Sequence, residues 1–277
     1  MKPVVFTAKG AKSAKKTGVP AQFQEAYNPV LIKRAVLAEQ SLERQPQGRD
    51  PKAGLKHSTM WHKRRQKKWR TTYNQGISRT PKKILARIGG GWQGVMRFKM
   101  FRGAEAPQTV KGRRAHPPTS EKIIVRKINK KEHEKAIRSA MNATTQIELV
   151  QKRGHKTQEA FIILEAPAEK ISKTSELVKL LEKIGLRQEL ERSQKKTIKA
   201  GRGKTRGRKY KKTVGPLIIT SGEEADLNKS AKNIPGIEAI PVTNLQVQKL
   251  APGTIPGRLT IWTETALEKM EKEGLYA

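Results

Sequence analysis

The segment FIILEAPAEKISKTSELVKLLEKIG, Phe161 to Gly185, opens on four apolar residues in a row. It continues into a stretch whose apolar positions, Leu177, Leu180, Leu181 and Ile184, recur every three to four residues until Gly185. Successive side chains of a strand point to opposite faces, so a short run that is apolar at every position reads as a strand covered on both sides. The 3.6-residue repeat reads as a helix with one buried stripe. Leu217-Ile-Ile219 repeats the strand pattern, and Ile237 to Val242 supplies another. Strands of this kind separated by amphipathic helices predict βαβ units: an α/β fold with a mostly parallel open sheet covered by helices.

Working outward, Val4 to Thr7 reads as a short strand, followed by a Lys/Gly-rich connection to about Gly18. Asn28-Pro29 opens a helix, since Asn caps well and Pro suits the first helical position; Leu31, Ile32, Ala35, Val36, Ala38 and Leu42 form its apolar face, and Pro46 and Gly48 end it. Asn129-x-x-Glu132 has the form of a capping box. It predicts one helix carrying Ala136, Ile137, Ala140, Met141, Ile147 and Val150, closed by Gly154. Ser221-x-x-Glu224 and Thr265-x-x-Glu268 predict the starts of two more. Between Gln45 and Pro118 the periodicity vanishes, replaced by Gly and Pro punctuation among cations. A stretch of ~70 residues without elements does not belong inside a compact domain, so it is expected to leave the domain and be ordered by a partner. The predicted organisation is residues 1–44 as the first part of a globular α/β domain, 45–118 as a long irregular basic extension, and 119–277 as the remainder, with a basic loop at 195–212.

The charge is placed rather than spread. The 277 residues carry 59 Lys and Arg against 24 Asp and Glu, a net +35. Residues 51–120 hold 18 cations against one acid, Glu105, and residues 195–212 hold 10 against none, whereas residues 213–277 have 6 against 8. Such concentration suits a polyanionic partner, because each neutralised phosphate releases a condensed counterion. With 35% hydrophobic residues and a mean hydropathy of −0.71, an ordinary core plus a large partner-bound segment is expected. The absence of cysteine excludes disulfides, thiolate metal sites and Cys nucleophiles. Val4-Val-Phe6 is too short a run for a signal peptide and no run approaches the ~20 apolar residues of a membrane span, so a soluble intracellular protein is expected.

Sequence patterns for other chemistry fail on context. Gly89-x-Gly91-x-x-Gly94 matches the dinucleotide fingerprint, but no strand precedes it and no acid follows at the required distance; Gly203-Lys-Thr205 lacks the leading glycine and strand of a P-loop. The five histidines form no H-E-x-x-H pattern, and Glu223-Glu224 reads as helix-start acids. No catalytic residue, cofactor or metal is therefore expected. The basic segments read differently. Trp61, Lys63, Arg64, Arg65, Lys67, Lys68, Trp69 and Arg70, running on to Tyr73, interleave rings that can stack on unpaired bases with cations that grip phosphates. Residues 201–210 alternate Gly with Arg or Lys, letting backbone approach a phosphate ridge closely. The further RNA-binding candidates of the extension are Arg79, Lys82, Lys83, Arg87, Arg97, Lys99, Arg102, Lys111, Arg113, Arg114 and His116. Those of the loop are Lys195, Lys196, Arg202, Lys204, Arg206, Arg208, Lys209, Tyr210, Lys211 and Lys212. No helix-turn-helix, zinc-finger or basic-zipper pattern is present, and irregular Gly/Arg/aromatic segments suit folded RNA better than uniform duplex. An RNA-modifying enzyme would need a convergent acid/base cluster that is not visible, and a DNA-compacting protein would give no reason for ordered strings.

Three such strings are Val110-Lys-Gly-Arg-Arg-Ala-His-Pro-Pro118, Ala200-Gly-Arg-Gly-Lys-Thr-Arg-Gly-Arg-Lys-Tyr210 and Leu250-Ala-Pro-Gly-Thr-Ile-Pro-Gly-Arg-Leu-Thr-Ile-Trp-Thr263. With Arg34-Ala-Val-Leu-Ala38, Ile128-Asn-Lys-Lys131 and Ala136-Ile-Arg-Ser-Ala140, they resemble, in order from about Asn28 onward, the archaeal form of large-subunit ribosomal protein four, the universal L-four family. The resemblance implies a non-enzymatic, ribosome-bound cytoplasmic protein with an α/β domain on the outside of the large subunit. It also implies an extension threaded through ribosomal RNA whose tip helps form the wall of the nascent-peptide exit tunnel. Carried onto this chain, Gly76, Ile77, Ser78, Arg79, Thr80, Pro81, Gly89, Gly90 and Gly91 would lie near that tunnel, with ribosomal RNA, neighbouring ribosomal proteins and the nascent peptide as partners. The Trp61–Tyr73 run departs from the family, being more basic and aromatic than its Gly/Arg/Ser-rich counterpart.

Overall fold

The computed structural model describes residues 3–15, 17–57, 59–60, 76, 78–83 and 103–276. Along the chain run β1 (Val4–Phe6), α1 (Pro29–Leu42), β2 (Thr59–Met60), β3 (Lys82–Lys83), α2 (Lys130–Thr145), α3 (Ile147–Lys152) and β4 (Phe161–Leu164). Then come α4 (Thr174–Lys183), α5 (Arg187–Gln194), β5 (Thr197–Ile198), β6 (Tyr210–Lys211), β7 (Leu217–Thr220) and α6 (Asp226–Lys232). The chain closes with β8 (Glu238–Pro241), α7 (Val247–Leu250), β9 (Thr260–Thr263) and α8 (Glu264–Lys272). Two compact units result: residues 1–44 with 125–277, and residues 45–124.

The first unit is α/β. Its five-stranded sheet has the order β1-β4-β9-β7-β8 with every adjacent pair parallel. Alternation along each strand sorts side chains to two faces. Val5, Phe161, Ile163, Leu217, Ile219 and Trp262 pack with Ile32 and Val36 of α1, Ile137 and Met141 of α2, and Leu267 of α8. Phe6, Ile162, Leu164, Ile218 and Ile261 pack with Leu177 and Leu181 of α4, Leu190 of α5 and Leu227 of α6. Burial on both faces is why these strands are apolar at consecutive positions. Trp262, fully buried, meets Phe23 edge-on at 5.1 Å between ring centroids, and Phe23 in turn lies 5.2 Å from Phe161.

The central strand β9 was not evident from hydropathy, because its Thr-Ile-Trp-Thr sequence breaks the continuous apolar pattern even though Thr260 and Thr263 are completely buried. Helix starts needed more correction. Asn28 does cap α1: its carboxamide oxygen accepts from the amides of Val30 and Leu31, both at 3.1 Å. The helix ends at Leu42, before Pro46. Asn129 precedes α2 but makes no side-chain cap, so no capping box forms. The single helix expected through Val150 breaks at Gln146, whose ψ of 110° is extended, and α3 follows before Gly154 (φ +98°). Ser221 caps nothing. Its hydroxyl and amide both donate to the Glu169 carboxylate, at 2.7 and 2.9 Å, and α6 begins only at Asp226. In α8 the cap is Thr263 rather than Thr265, its hydroxyl oxygen accepting from the Ala266 amide at 3.3 Å.

The Gly257-Arg258 pair locks the approach to β9. A Cβ on Gly257, whose φ is +88°, would lie 2.8 Å from both the carbonyl carbon and oxygen of Leu149. The Arg258 guanidinium, 1% exposed, donates to the carbonyls of Gly215 (2.9 Å) and Lys249 (3.0 Å) and to Glu238 (2.9 Å). Gly257→Ala is expected to cost roughly 1–3 kcal/mol, since it combines a left-handed backbone with contact to immovable main chain. Urea unfolding monitored by Trp fluorescence checks this, and a wild-type midpoint would contradict it.

In the second unit β2 and β3 pair antiparallel, Thr59 opposite Lys83 and Met60 opposite Lys82. Gly112 sits in a turn where a Cβ would fall 2.1 Å from the Ala106 carbonyl oxygen. A Cβ on Gly54 would fall 2.7 Å from the Arg113 backbone. The Val110–Pro118 string thus includes a glycine that the local packing demands.

Candidate nucleic-acid interface

The loop at 195–212 is a hairpin on a clamped stem. Helix α5 leads into it and carries Glu189, whose side chain is fully buried. Glu189 accepts from His155 Nδ1 at 2.7 Å, from Arg192 Nη2 at 2.6 Å and Nε at 2.8 Å, and from the Lys156 amide at 3.0 Å. Burial alone would raise the Glu189 carboxyl, but the bonds from Arg192, His155 and Lys156 outweigh it and lower the pKa to about 2. Burial likewise pushes the His155 imidazole below its ordinary value, so at neutral pH it is an uncharged donor to Glu189. Arg192, so oriented, also donates to the Val214 carbonyl at 2.7 Å, and the Thr213 hydroxyl donates to the Arg192 carbonyl at 3.0 Å. The residues entering and leaving the loop are therefore tied together.

Beyond the stem, β5 and β6 pair antiparallel, Thr197 opposite Lys211 and Ile198 opposite Tyr210. The Lys199 amide extends the ladder to the Lys209 carbonyl at 2.9 Å. A 3₁₀ turn over Arg202–Arg206 forms the tip, ended by Gly207 at φ +76°, a conformation that favours glycine. Gly201 is different: a Cβ there would meet nothing within 4 Å, so the fold does not require it. An open glycine leaves the main chain free to approach a ligand.

Lys195, Lys196, Lys199, Arg202, Lys204, Arg206, Arg208, Lys209, Lys211 and Lys212 are all exposed. Among the described residues none of them enters an ion pair; the pair of Arg192 with Glu189 belongs to the stem. Tyr210, 48% exposed, has the Lys209 ammonium 5.5 Å from its ring centroid. Ten like charges on one short hairpin repel one another, and a polyanion relieves that repulsion while an internal acid does not.

In the second unit Gly76, Ser78, Arg79, Lys111, Arg113, Arg114 and His116 are exposed, and Thr80 and Lys83 are partly buried. Pro81 and Lys82 are buried, so Lys82 differs from the other described cations assigned to RNA contact. Trp61, Lys63, Arg64, Arg65, Lys67, Lys68, Trp69, Arg70, Ile77, Arg87, Gly89, Gly90, Gly91, Arg97, Lys99 and Arg102 lie outside the described residues, as does the Gly89–Gly94 fingerprint match. Sequence reasoning did not find the clamp. Its one available signal was a His directly after the helix-stopping Gly154. It also passed over an open groove of about 390 Å³ in the first unit, where Lys33, Arg34, Arg126 and Lys127 surround Val30 and Leu37. Among the described residues no group of three His, Asp or Glu is placed to hold a metal ion, and no helix is long and apolar enough to cross a membrane.

Residues 18–273 match the model of the ribosomal protein L4/L1 family. The large ribosomal subunit protein uL4 of Nanoarchaeum equitans is 44% identical over 258 residues, covering 93% of each chain. Its counterpart in Methanocaldococcus jannaschii is 39% identical over 275 residues, covering 98% of this chain and 99% of the relative. That of Archaeoglobus fulgidus is 39% identical over 271 residues, covering 97% of both. With a family match spanning both units and relatives aligned across nearly their full lengths, the chain belongs to the ribosomal protein L4/L1 family.

Proposed function

We propose that this protein is a structural constituent of the large ribosomal subunit, where it binds large-subunit ribosomal RNA and supports assembly. The observation that carries the reading is the 195–212 hairpin: ten exposed cations, without ion-pair partners among the described residues, on a stem fixed by a buried network. Family membership supports a structural rather than catalytic role. In this reading the hairpin inserts between RNA phosphates with Tyr210 available to stack on an unpaired base. Residues 45–118 neutralise close-packed phosphates and contribute to the wall of the nascent-peptide exit tunnel near Gly76–Pro81 and Gly89–Gly91, beside neighbouring ribosomal proteins. The protein works bound to cytoplasmic ribosomes.

Affinity for large-subunit RNA fragments and for duplex DNA of equal length, compared across a salt series, tests RNA recognition. The expected result is at least tenfold tighter binding to the RNA at matched salt. Equal affinity would instead mark a general polyanion binder.

A further inference from the structure

The second unit contains an open cavity of about 430 Å³ whose lining combines groups of three kinds. Leu55 and Pro81 are apolar, Arg79 and Arg113 are exposed cations, and Glu105 supplies a carboxylate. Glu105 is the single acid among residues 51–120, a segment with 18 cations. Elsewhere in this unit Lys56 pairs with Asp50. The backbone at Glu105 is also unusual. Its φ is +62°, and the Ala106 amide donates across it to the Ala104 carbonyl at 2.6 Å, giving a three-residue turn that non-glycine residues rarely adopt. A further bond, from the Arg113 amide to the Glu105 carbonyl at 3.1 Å, brings Arg113 to the same rim. Strain of this sort persists where the surrounding structure over-determines it, and it concentrates at binding sites.

An ionised carboxylate only accepts hydrogen bonds, through two oxygens side by side. Of the four RNA bases, guanine alone presents two adjacent donors, N1–H and N2–H, on its Watson–Crick edge. Adenine and cytosine each set a ring-nitrogen acceptor beside their amino group, and uracil flanks its N3–H with two carbonyls. The cavity volume lies within the ~300–1,000 Å³ range of small-ligand sites, and unpaired, splayed-out bases are the usual targets of sequence-specific RNA readers. Resting on the RNA-binding role proposed above, we propose that this cavity receives one unstacked guanine of ribosomal RNA. Glu105 accepts from N1–H and N2–H, Leu55 and Pro81 face the base, and Arg79 and Arg113 take the flanking phosphates.

The test is photo-cross-linking of the full chain to two single-stranded RNA pentamers, one with a central 6-thioguanosine and the other with a central 4-thiouridine. Cross-linked peptides are then mapped by mass spectrometry. The sulfur of 6-thioguanosine replaces O6 and leaves both donors in place. Expected are cross-links within residues 76–83 or 103–113 for the thioguanosine probe, at least tenfold above those of the thiouridine probe. Glu105→Gln, which puts an amide donor where an acceptor is needed, should abolish that excess while cross-linking at 195–212 stays unchanged in the same sample. Arg79→Ala should weaken both probes in the cavity alike. Equal labelling of the cavity by both probes, labelling indifferent to Glu105→Gln, or labelling confined to 195–212 would each overturn the guanine site and leave RNA binding standing. No cross-link anywhere would remove the RNA-binding reading as well.

Discussion

Glu189→Ala is expected to lower the unfolding free energy by roughly 3–5 kcal/mol, the range found when one partner of a buried charge pair is removed. The substitution leaves Arg192 of α5 without its two carboxylate contacts, and His155 and the Lys156 amide, on the segment that follows α3, without their acceptor. It also frees Arg192 from the orientation in which it holds the Val214 carbonyl. Hydrogen exchange should therefore quicken at the amides of Lys199 and Arg208 inside the hairpin as well as in α5. Acid should reproduce part of this effect in the wild type. Glu189 is depressed from its ordinary 4.5 to about 2, so its contribution is complete above pH 4.5 and is lost as pH falls from there through 2. His155 is also depressed, from an ordinary 6.5. The unfolded chain therefore takes up a proton below pH 6.5 that the folded chain refuses, and stability begins to fall there. Guanidinium unfolding between pH 3 and 7 checks both steps, and the lower step should be missing in Glu189→Ala. Unfolding within 1 kcal/mol of wild type would show that the stem does not depend on this network.

Replacing Arg202, Arg206, Arg208 and Lys209 together by Gln should leave the unfolding midpoint unchanged, because all four are exposed and none is ion-paired among the described residues. RNA binding should respond strongly. If each cation takes one phosphate, the slope of log affinity against log salt falls by about 0.7–0.9 per lost contact, or roughly 3 in all. At ~0.1 M salt that corresponds to roughly a thousandfold weaker binding. Subunit incorporation of the variant in cells should fail correspondingly. An unchanged salt slope would mean that the hairpin faces something other than RNA.

These two variants separate what the sequence discloses from what it hides. Phe161–Leu164 and Leu217–Ile219 were legible as strands because burial on both faces leaves a local signature that no distant residue alters. Thr260–Thr263 was hidden because its threonines are buried in the middle of the sheet, where hydropathy alone places them outside. The S/T-x-x-E pattern misled at Ser221 because Glu169, 52 residues away, takes both the hydroxyl and the amide. A local pattern cannot register a competitor so remote. The hairpin cations were legible from charge alone, as ten unbalanced charges in 18 residues need an external anion. Glu189 was not, since in Arg187-Gln-Glu-Leu-Glu-Arg-Ser-Gln194 it is indistinguishable from the exposed Glu191 until the packing of His155 is known. Lys82 and Lys83 show the same limit: neighbours of identical chemistry, one buried and one only partly so.

Integral membership of the large subunit is tested by a sucrose gradient of lysate from cells that make this protein, run after a high-salt wash, with quantitative mass spectrometry of each fraction. One copy per large subunit is expected, retained through the wash at the same stoichiometry as other integral subunit proteins. Loss from the subunits on washing, or a peak among small complexes with substoichiometric amounts on mature subunits, would contradict it.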